Sequence, residues 1–170
     1  RDKIFFFSDA PVRELEARMA EADPVPKDHA AAFERFSLGS HQLRLGRTRD
    51  AIANLTLAHD ALAALPPAPA DLPKPERFND FNVEKLPGKE TAFELGLAYL
   101  RLGENDNCVC ERGGDSCIFP IAGSGIHQHE EGSQGAIKYF TEVLEAYPET
   151  LGARWLLNVA YMTLGKWPAE

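Results

Sequence analysis

The sequence lacks the features that would mark a membrane protein or a nucleic-acid-binding protein. No apolar run among its 170 residues approaches the ~20 that a membrane-spanning helix needs, and the apolar cluster at residues 4–7 is too short for a signal-peptide core. Basic residues are few and scattered, since 18 Lys and Arg stand against 26 Asp and Glu, for a net charge of −8. Nucleic acids and anionic membranes both require a basic surface. We therefore expect neither as a partner, and no membrane insertion.

The sequence also lacks the motifs of common enzyme classes. It has no serine nucleophile elbow, and no cysteine–histidine pair lies in a recognisable catalytic context. The glycine-rich stretch 122–136 leads into a helix but has neither a preceding strand nor the lysine of a phosphate-binding loop. Ser133 in this stretch is instead predicted to be a helix N-cap. We predict that the chain is not an enzyme and holds no cofactor.

Strand-like alternation is absent, and three segments share a helical pattern instead. In each, a Leu lies eight residues before a Gly, with an apolar helical stripe between them: Leu38 and Gly46, Leu95 and Gly103, Leu157 and Gly165. This pattern is typical of the first helix of a tetratricopeptide repeat, which also carries an aromatic residue that Tyr99 and Tyr161 supply and Gln42 does not. The second helix of such a repeat has small and apolar residues at fixed spacing, found at Ala51, Leu55, Ala58 and at Ala136, Phe140, Val143.

The spacing between these helices predicts an insertion. Ala51 follows Gly46 by five residues, whereas Ala136 follows Gly103 by 33, an excess of 28. The offset from Gly103 to Gly165 is 62, and subtracting the excess of 28 leaves 34, the tetratricopeptide period. The predicted fold is therefore all-α, a tetratricopeptide-like solenoid of helical hairpins with a long loop inserted inside one hairpin.

The predicted organisation divides the chain into five parts. Helices are predicted at 10–22, 28–45, 48–64, 89–103, 133–146 and 150–165. The parts are an N-terminal helix and linker (1–27), a first hairpin (28–65), a Pro-rich connecting loop (66–88), a second hairpin (89–149) with an inserted loop at 104–132, and a last helix (150–170) that begins a third repeat or caps the array.

The inserted loop and the helices after it resemble a known family. The segments "GENDNCVCERGGDSCIFPIAGSGIH" and "GSQGAIKYFTEVLEAYPETLGARWLLNVAYMTLGKWP" resemble the N-terminal helical region of secreted bacterial proteins in which such repeats precede FG-GAP propeller repeats and an ASPIC/UnbV domain. The matching positions include Cys108, Cys117, Phe119, Pro120, Gly123, Gly125 and His127. Cys110 departs from the family pattern, and the sequence contains no propeller repeats.

The resemblance implies an exported protein, in the periplasm, at the cell envelope or secreted. In such compartments a disulfide between Cys108 and Cys117 would fasten the loop, and closing a loop of that size stabilises by roughly 2–3 kcal/mol. Pairing of Cys110 with Cys117 is the alternative that the sequence leaves open.

A metal-binding or redox module is the competing interpretation of the loop. Cys110, His127 and His129 could supply donors suited to zinc or copper, although Cys-x-Cys spacing fits one tetrahedral ion poorly. We predict no native metal site and retain these three residues as its candidates.

A binding surface for a protein or peptide is the function that the repeats predict. In tetratricopeptide arrays, the first helix of each hairpin faces the partner. The corresponding residues are Phe36, Ser40, Arg44, Phe93, Glu94, Leu97, Arg101, Trp155, Val159 and Met162. We therefore expect a non-catalytic interaction or scaffold domain that binds a partner protein, a peptide or an adjacent domain or subunit. A structural subunit of an extracellular or envelope assembly is a further alternative.

Overall fold

The structure is a computed structural model that describes residues 9–67, 89–109 and 119–167, and these contain six α-helices and no strand. The helices are α1 (Ala10–Met19), α2 (His29–Arg44), α3 (Thr48–Ala64), α4 (Glu90–Glu104), α5 (Glu131–Ala146) and α6 (Leu151–Thr163). A π-helical segment (Asn105–Val109) follows α4, and a 3-10 turn (Gly123–Gly125) precedes α5. The predicted all-α class is confirmed, and each helix ends within three residues of its predicted bounds.

The chain divides into two compact units, Arg1–Asn79 and Asp80–Glu170. In the first unit, α2 packs against α1 and α3. The contact between α1 and α2 is apolar, because Val12 and Met19 are buried together with Leu38. The first unit is therefore a helical hairpin with one additional helix against it.

Both ends of α2 satisfy their backbone groups locally. At the start, the Asp28 carboxylate accepts a hydrogen bond from the Ala31 amide at 2.9 Å. At the end, Gly46 takes a left-handed φ of 78°, its amide donates to Leu43 O, and the next amide, of Arg47, donates to Gln42 O. This Schellman arrangement ends the helix and lets α3 begin soon afterwards.

In the second unit, α5 packs against both α4 and α6. Phe93 of α4 meets Phe140 of α5 edge to face, with ring centroids 5.7 Å apart. Helix α6 ends as α2 does, at Gly165 with a φ of 65° and an amide that donates to Met162 O. Helix α4 instead runs past Gly103 and continues into the π-helical segment.

The same close helix contact occurs within each hairpin. A Cβ atom at Gly39 would lie 2.6 Å from Leu55 Cγ, and a Cβ atom at Gly96 would lie 2.6 Å from Phe140 Cε1. Each glycine thus lets a bulky side chain of the following helix approach its backbone. The offset between the contacting residues is 16 in the first hairpin and 44 in the second, and the difference of 28 equals the predicted insertion.

Candidate functional site

The two ends of the inserted segment meet at one buried residue, Asn107 of the π-helical segment. Its side-chain amide donates to Gly103 O at 2.9 Å and to His129 O at 3.1 Å. Its Oδ1 accepts from the backbone amides of Gln128 and His129, at 2.8 and 2.9 Å. All four hydrogen-bonding positions of the amide are filled, so Asn107 holds the end of the insertion beside α4.

His127 lies at the centre of this junction, 6% exposed. Its backbone amide donates to Thr163 O, the last carbonyl of α6, at 2.8 Å. Its ring Nδ1 lies 3.0 Å from Ser133 Oγ of α5, which in turn lies 2.7 Å from Thr163 Oγ1. One loop residue therefore joins the start of α5 to the end of α6.

Cys108 lies on the other side of the imidazole. Its Sγ is 3.8 Å from His127 Nε2, within the longer distances that sulfur hydrogen bonds take, and the side chain is partly exposed. Cys108 belongs to the π-helical segment, and such segments occur frequently at functional sites. The thiol and the imidazole thus form a pair with one partly accessible member and one buried member.

Two glycines make room for this arrangement. A Cβ atom at Gly103 would lie 3.2 Å from the His127 ring, and a Cβ atom at Gly132 would lie 2.2 Å from the Gly103 nitrogen. The backbones of α4 and α5 therefore approach each other directly beside the histidine. Gly103, predicted from the repeat pattern to end a helix, serves here as a point of close contact.

Burial lowers the pKa of His127. A low-dielectric surrounding disfavours the charged imidazolium, so the ring is neutral near neutral pH. A neutral imidazole has one N–H donor and one lone-pair acceptor, and it can act as a base toward a neighbouring thiol.

The predicted cysteine and metal chemistry falls partly outside the described residues. Cys110 and Cys117 both lie in the segment 110–118, so the Cys108–Cys117 disulfide and its Cys110–Cys117 alternative stay predictions. Of the two candidate histidines, His127 is buried and His129 is exposed. Within residues 9–67, 89–109 and 119–167, no three His, Cys, Asp or Glu side chains are grouped to hold a metal ion.

The predicted partner-binding residues divide by exposure. Four are buried: Phe36, Ser40, Phe93 and Glu94. Three are partly buried, namely Leu97, Val159 and Met162, and three are exposed, namely Arg44, Arg101 and Trp155. Trp155 is the most prominent, with 59% of its surface exposed and its ring centroid 6.3 Å from that of Phe119.

The sequence did not predict the roles of Asn107, Ser133 and Thr163. Ser133 was predicted as a helix N-cap, which is wrong, because α5 begins at Glu131 and Ser133 lies inside it with its hydroxyl toward His127. The alignment of the two hairpins contained a signal for Ser133. Ser133 lies as many residues after Thr48 as Phe140 lies after Leu55, so Ser133 and Thr48 occupy equivalent positions. A small polar residue thus lies in the first turn of the second helix of both hairpins.

Comparisons with protein-family models, with curated proteins and with solved structures return no match for this chain. In the part of the chain that the structure describes, no helix is both long enough and apolar enough to cross a membrane. The family resemblance and the exported location stay predictions.

Proposed function

We propose that this chain is a non-catalytic, tetratricopeptide-like interaction domain of an exported protein, and that α6 presents its binding face to a partner helix. The proposal is supported first by the contact that recurs within each hairpin, Gly39 with Leu55 and Gly96 with Phe140. A repeated helix contact in the same register is typical of repeat arrays, in which each unit buries the apolar face of its neighbour.

The observation that carries the proposal is the contrast between three aromatic residues in one repeat position. Phe36, Phe93 and Trp155 each lie two positions before the repeat leucines, Leu38, Leu95 and Leu157. Phe36 and Phe93 are each 2% exposed, whereas Trp155 is 59% exposed. Large exposed aromatic residues in a patch are typical of binding surfaces.

The contact made by Phe93, which occupies the equivalent position, indicates what kind of surface would cover Trp155. In the second hairpin, Phe93 packs against Phe140, which belongs to an amphipathic helix with the smaller apolar residues Ala136 and Val143 about one turn to either side. A helix with the same small–bulky–small pattern would fit against α6 at Trp155, with Val159 one turn further along. The favoured partner is therefore an amphipathic helix rather than an extended peptide.

An appended helix tests this fit. A second copy of the α3 sequence, residues 48–64, would be joined after residue 170 by a flexible Gly-Ser linker, which supplies an effective concentration on the order of mM. In a Trp167→Phe background, Trp155 is the one remaining tryptophan. We expect its fluorescence to shift to the blue as it becomes buried, and the unfolding midpoint of the second unit to rise.

The matched control is the same fusion with one change: in the appended copy, the leucine that corresponds to Leu55 is replaced by Arg. Both responses should then disappear, because the bulky apolar residue at the centre of the contact is lost. Equal fluorescence in the two fusions and in the unfused chain would contradict a helix-binding face on α6.

A further inference from the structure

The hydrogen bonds from His127 to Ser133 and from Ser133 to Thr163 each have a defined donor and acceptor. These roles follow from the hydrogen bond that Thr163 makes at the far end. Thr163 Oγ1 donates to Ala160 O at 2.8 Å. This bond completes the end of α6, because the carbonyls of Tyr161, Met162 and Thr163 accept from backbone amides. With its own proton used, Thr163 Oγ1 must accept the proton of Ser133.

The same reasoning passes from Ser133 to His127. Ser133 Oγ donates to Thr163 Oγ1 at 2.7 Å, so toward the imidazole, at 3.0 Å, it can only accept. Nδ1 of His127 therefore carries the proton in the neutral ring, and Nε2 carries the lone pair. That lone pair faces Cys108 Sγ at 3.8 Å.

We infer that Cys108 is a reactive thiol whose proton is accepted by His127 Nε2, and that aliphatic disulfides are the reagents it takes. When the proton moves from Sγ to Nε2, the imidazolium keeps its Nδ1–H bond to Ser133 and gains an Nε2–H donor to the thiolate. The hydrogen bonds from His127 to Ser133 and from Ser133 to Thr163 do not have to change. Such preorganisation is what activates a cysteine nucleophile next to a base.

The exchange is balanced in protons and electrons. Sγ loses its proton to Nε2 and attacks one sulfur of the disulfide, and the S–S bond breaks as the mixed disulfide forms. The departing sulfur takes the proton from Nε2–H and leaves as a thiol. Cys108 is oxidised, the departing half is reduced, and His127 returns to its neutral form.

Residues of three elements approach the His127 imidazole. From the described residues, the ring is approached by Gly103 of α4, Ser133 of α5 and Cys108. Among the described acidic residues near the pair in sequence, Glu104, Glu130 and Glu131 have exposed side chains, and Asp106 is partly buried.

This assignment and the predicted Cys108–Cys117 disulfide exclude each other. A disulfide sulfur has no proton to donate, and it would leave the buried Nε2 lone pair without a donor from Cys108, which is unfavourable. If the chain forms a disulfide, our assignment leaves Cys110 and Cys117 to make it.

The reactivity is measured in the full chain carrying Cys110→Ser and Cys117→Ser, so that Cys108 is the sole thiol. Oxidised glutathione is the probe, and intact mass follows the formation of the mixed disulfide as pH is varied. His127→Asn keeps a donor toward Ser133 and removes Nε2. We expect this change to slow the reaction near pH 7 by roughly tenfold to a hundredfold, and to move the pH profile toward that of an ordinary thiol near about 8.5.

The matched control is His129→Asn, the same substitution at an exposed histidine two residues away. It should leave both the rate and the pH profile unchanged. Equal rates in the two variants would overturn the proposal.

Two measurements on the unmodified chain do not depend on the variants folding. Nitrogen NMR of the histidine rings should show the His127 proton on Nδ1, and the opposite tautomer would overturn the proposal. Peptide mapping without reductant should find no Cys108–Cys117 linkage, and finding one would overturn it equally.

Discussion

The two helical hairpins use one packing contact but differ at the turn between their helices. In the first hairpin, Gly46 takes a left-handed conformation, and a Cβ atom there would contact nothing within 4 Å. In the second, Gly103 stays helical, and its missing side chain makes room for His127. The same position of the predicted repeat thus needs glycine for its conformation in one case and for its small size in the other.

This difference shows that the contact between the two helices, and not the turn that joins them, sets the register of a hairpin. Gly39 against Leu55 and Gly96 against Phe140 are equivalent, although the second hairpin carries a long insertion between its helices. Helix–helix packing therefore tolerates such an insertion at the turn, as expected when the entropy of loop closure grows only slowly with length.

A second difference lies in the aromatic position of the predicted repeat. In the second hairpin, Tyr99 stacks on Tyr139 with ring centroids 5.7 Å apart. In the first, Gln42 and Asn54 occupy the corresponding positions and share a 2.9 Å hydrogen bond. Gln42 also donates to Glu16 of α1 at 2.9 Å, so the departure from the repeat pattern coincides with the docking of an extra helix.

The largest expected effect comes from Gly132→Ala, which separates α4 from α5 at the turn. The new Cβ atom would lie 2.2 Å from the Gly103 nitrogen and 2.6 Å from Tyr99 O, and backbone atoms cannot move aside locally. We expect the free energy of unfolding of the second unit to fall by about 3 kcal/mol or more. Urea unfolding followed by tryptophan fluorescence measures this, because both tryptophans, Trp155 and Trp167, lie in that unit.

Gly152→Ala is the matched control in the same unit. A Cβ atom there meets nothing within 4 Å, and the residue is helical, so stability should stay the same or rise by up to about 1 kcal/mol. Similar losses in the two variants would show that the contact between Gly132 and Gly103 does not hold the second hairpin together.

Periodicity predicted the helices well because their apolar faces are buried locally. The spacing of Leu38 and Gly46 is a property of α2 and its nearest neighbour, and it identified both the helix and its end. The chemistry at His127 could not be predicted in the same way, because it depends on four segments meeting. Asn107, Ser133 and Thr163 lie in three different elements far apart in the sequence, and no local pattern relates them.

A smaller effect is expected from Gln42→Leu, which removes the polar contact that distinguishes the first hairpin. Asn54 loses one acceptor and Glu16 loses one donor, so the first unit should lose about 1–2 kcal/mol of stability. The double variant Gln42→Leu, Asn54→Leu should lose less than the sum of the single changes, because the hydrogen bond between the two side chains is lost in both single variants and can be lost only once. Hydrogen exchange of α2 amides measures both losses, and strict additivity would show that the pair does not act as a unit.

The smallest expected effect is a pH dependence of the docking of α1. The hydrogen bond from Arg47 is the main cause that holds the pKa of Glu16 below its usual value of 4.5, with a further contribution from Gln42, against the opposing effect of burial. A carboxyl group with a lowered pKa in the folded state stabilises it above the pKa of the unfolded state, and this stability is lost as pH falls through the folded-state pKa. The Glu16 side chain is 33% exposed, so solvent screening limits the effect to about 1 kcal/mol or less.

Glu16→Gln and Arg47→Gln should therefore each destabilise the first unit near pH 7, and their differences from the unmodified chain should shrink at a pH below the folded-state pKa of Glu16, where the carboxylate is protonated. Hydrogen exchange of α1 and α2 amides at the two pH values measures this convergence. The second unit gives an internal reference in the same sample, because neither substitution lies within it. A constant difference between variant and unmodified chain at both pH values would assign the contribution of Glu16 to packing against Gln42 rather than to its charge.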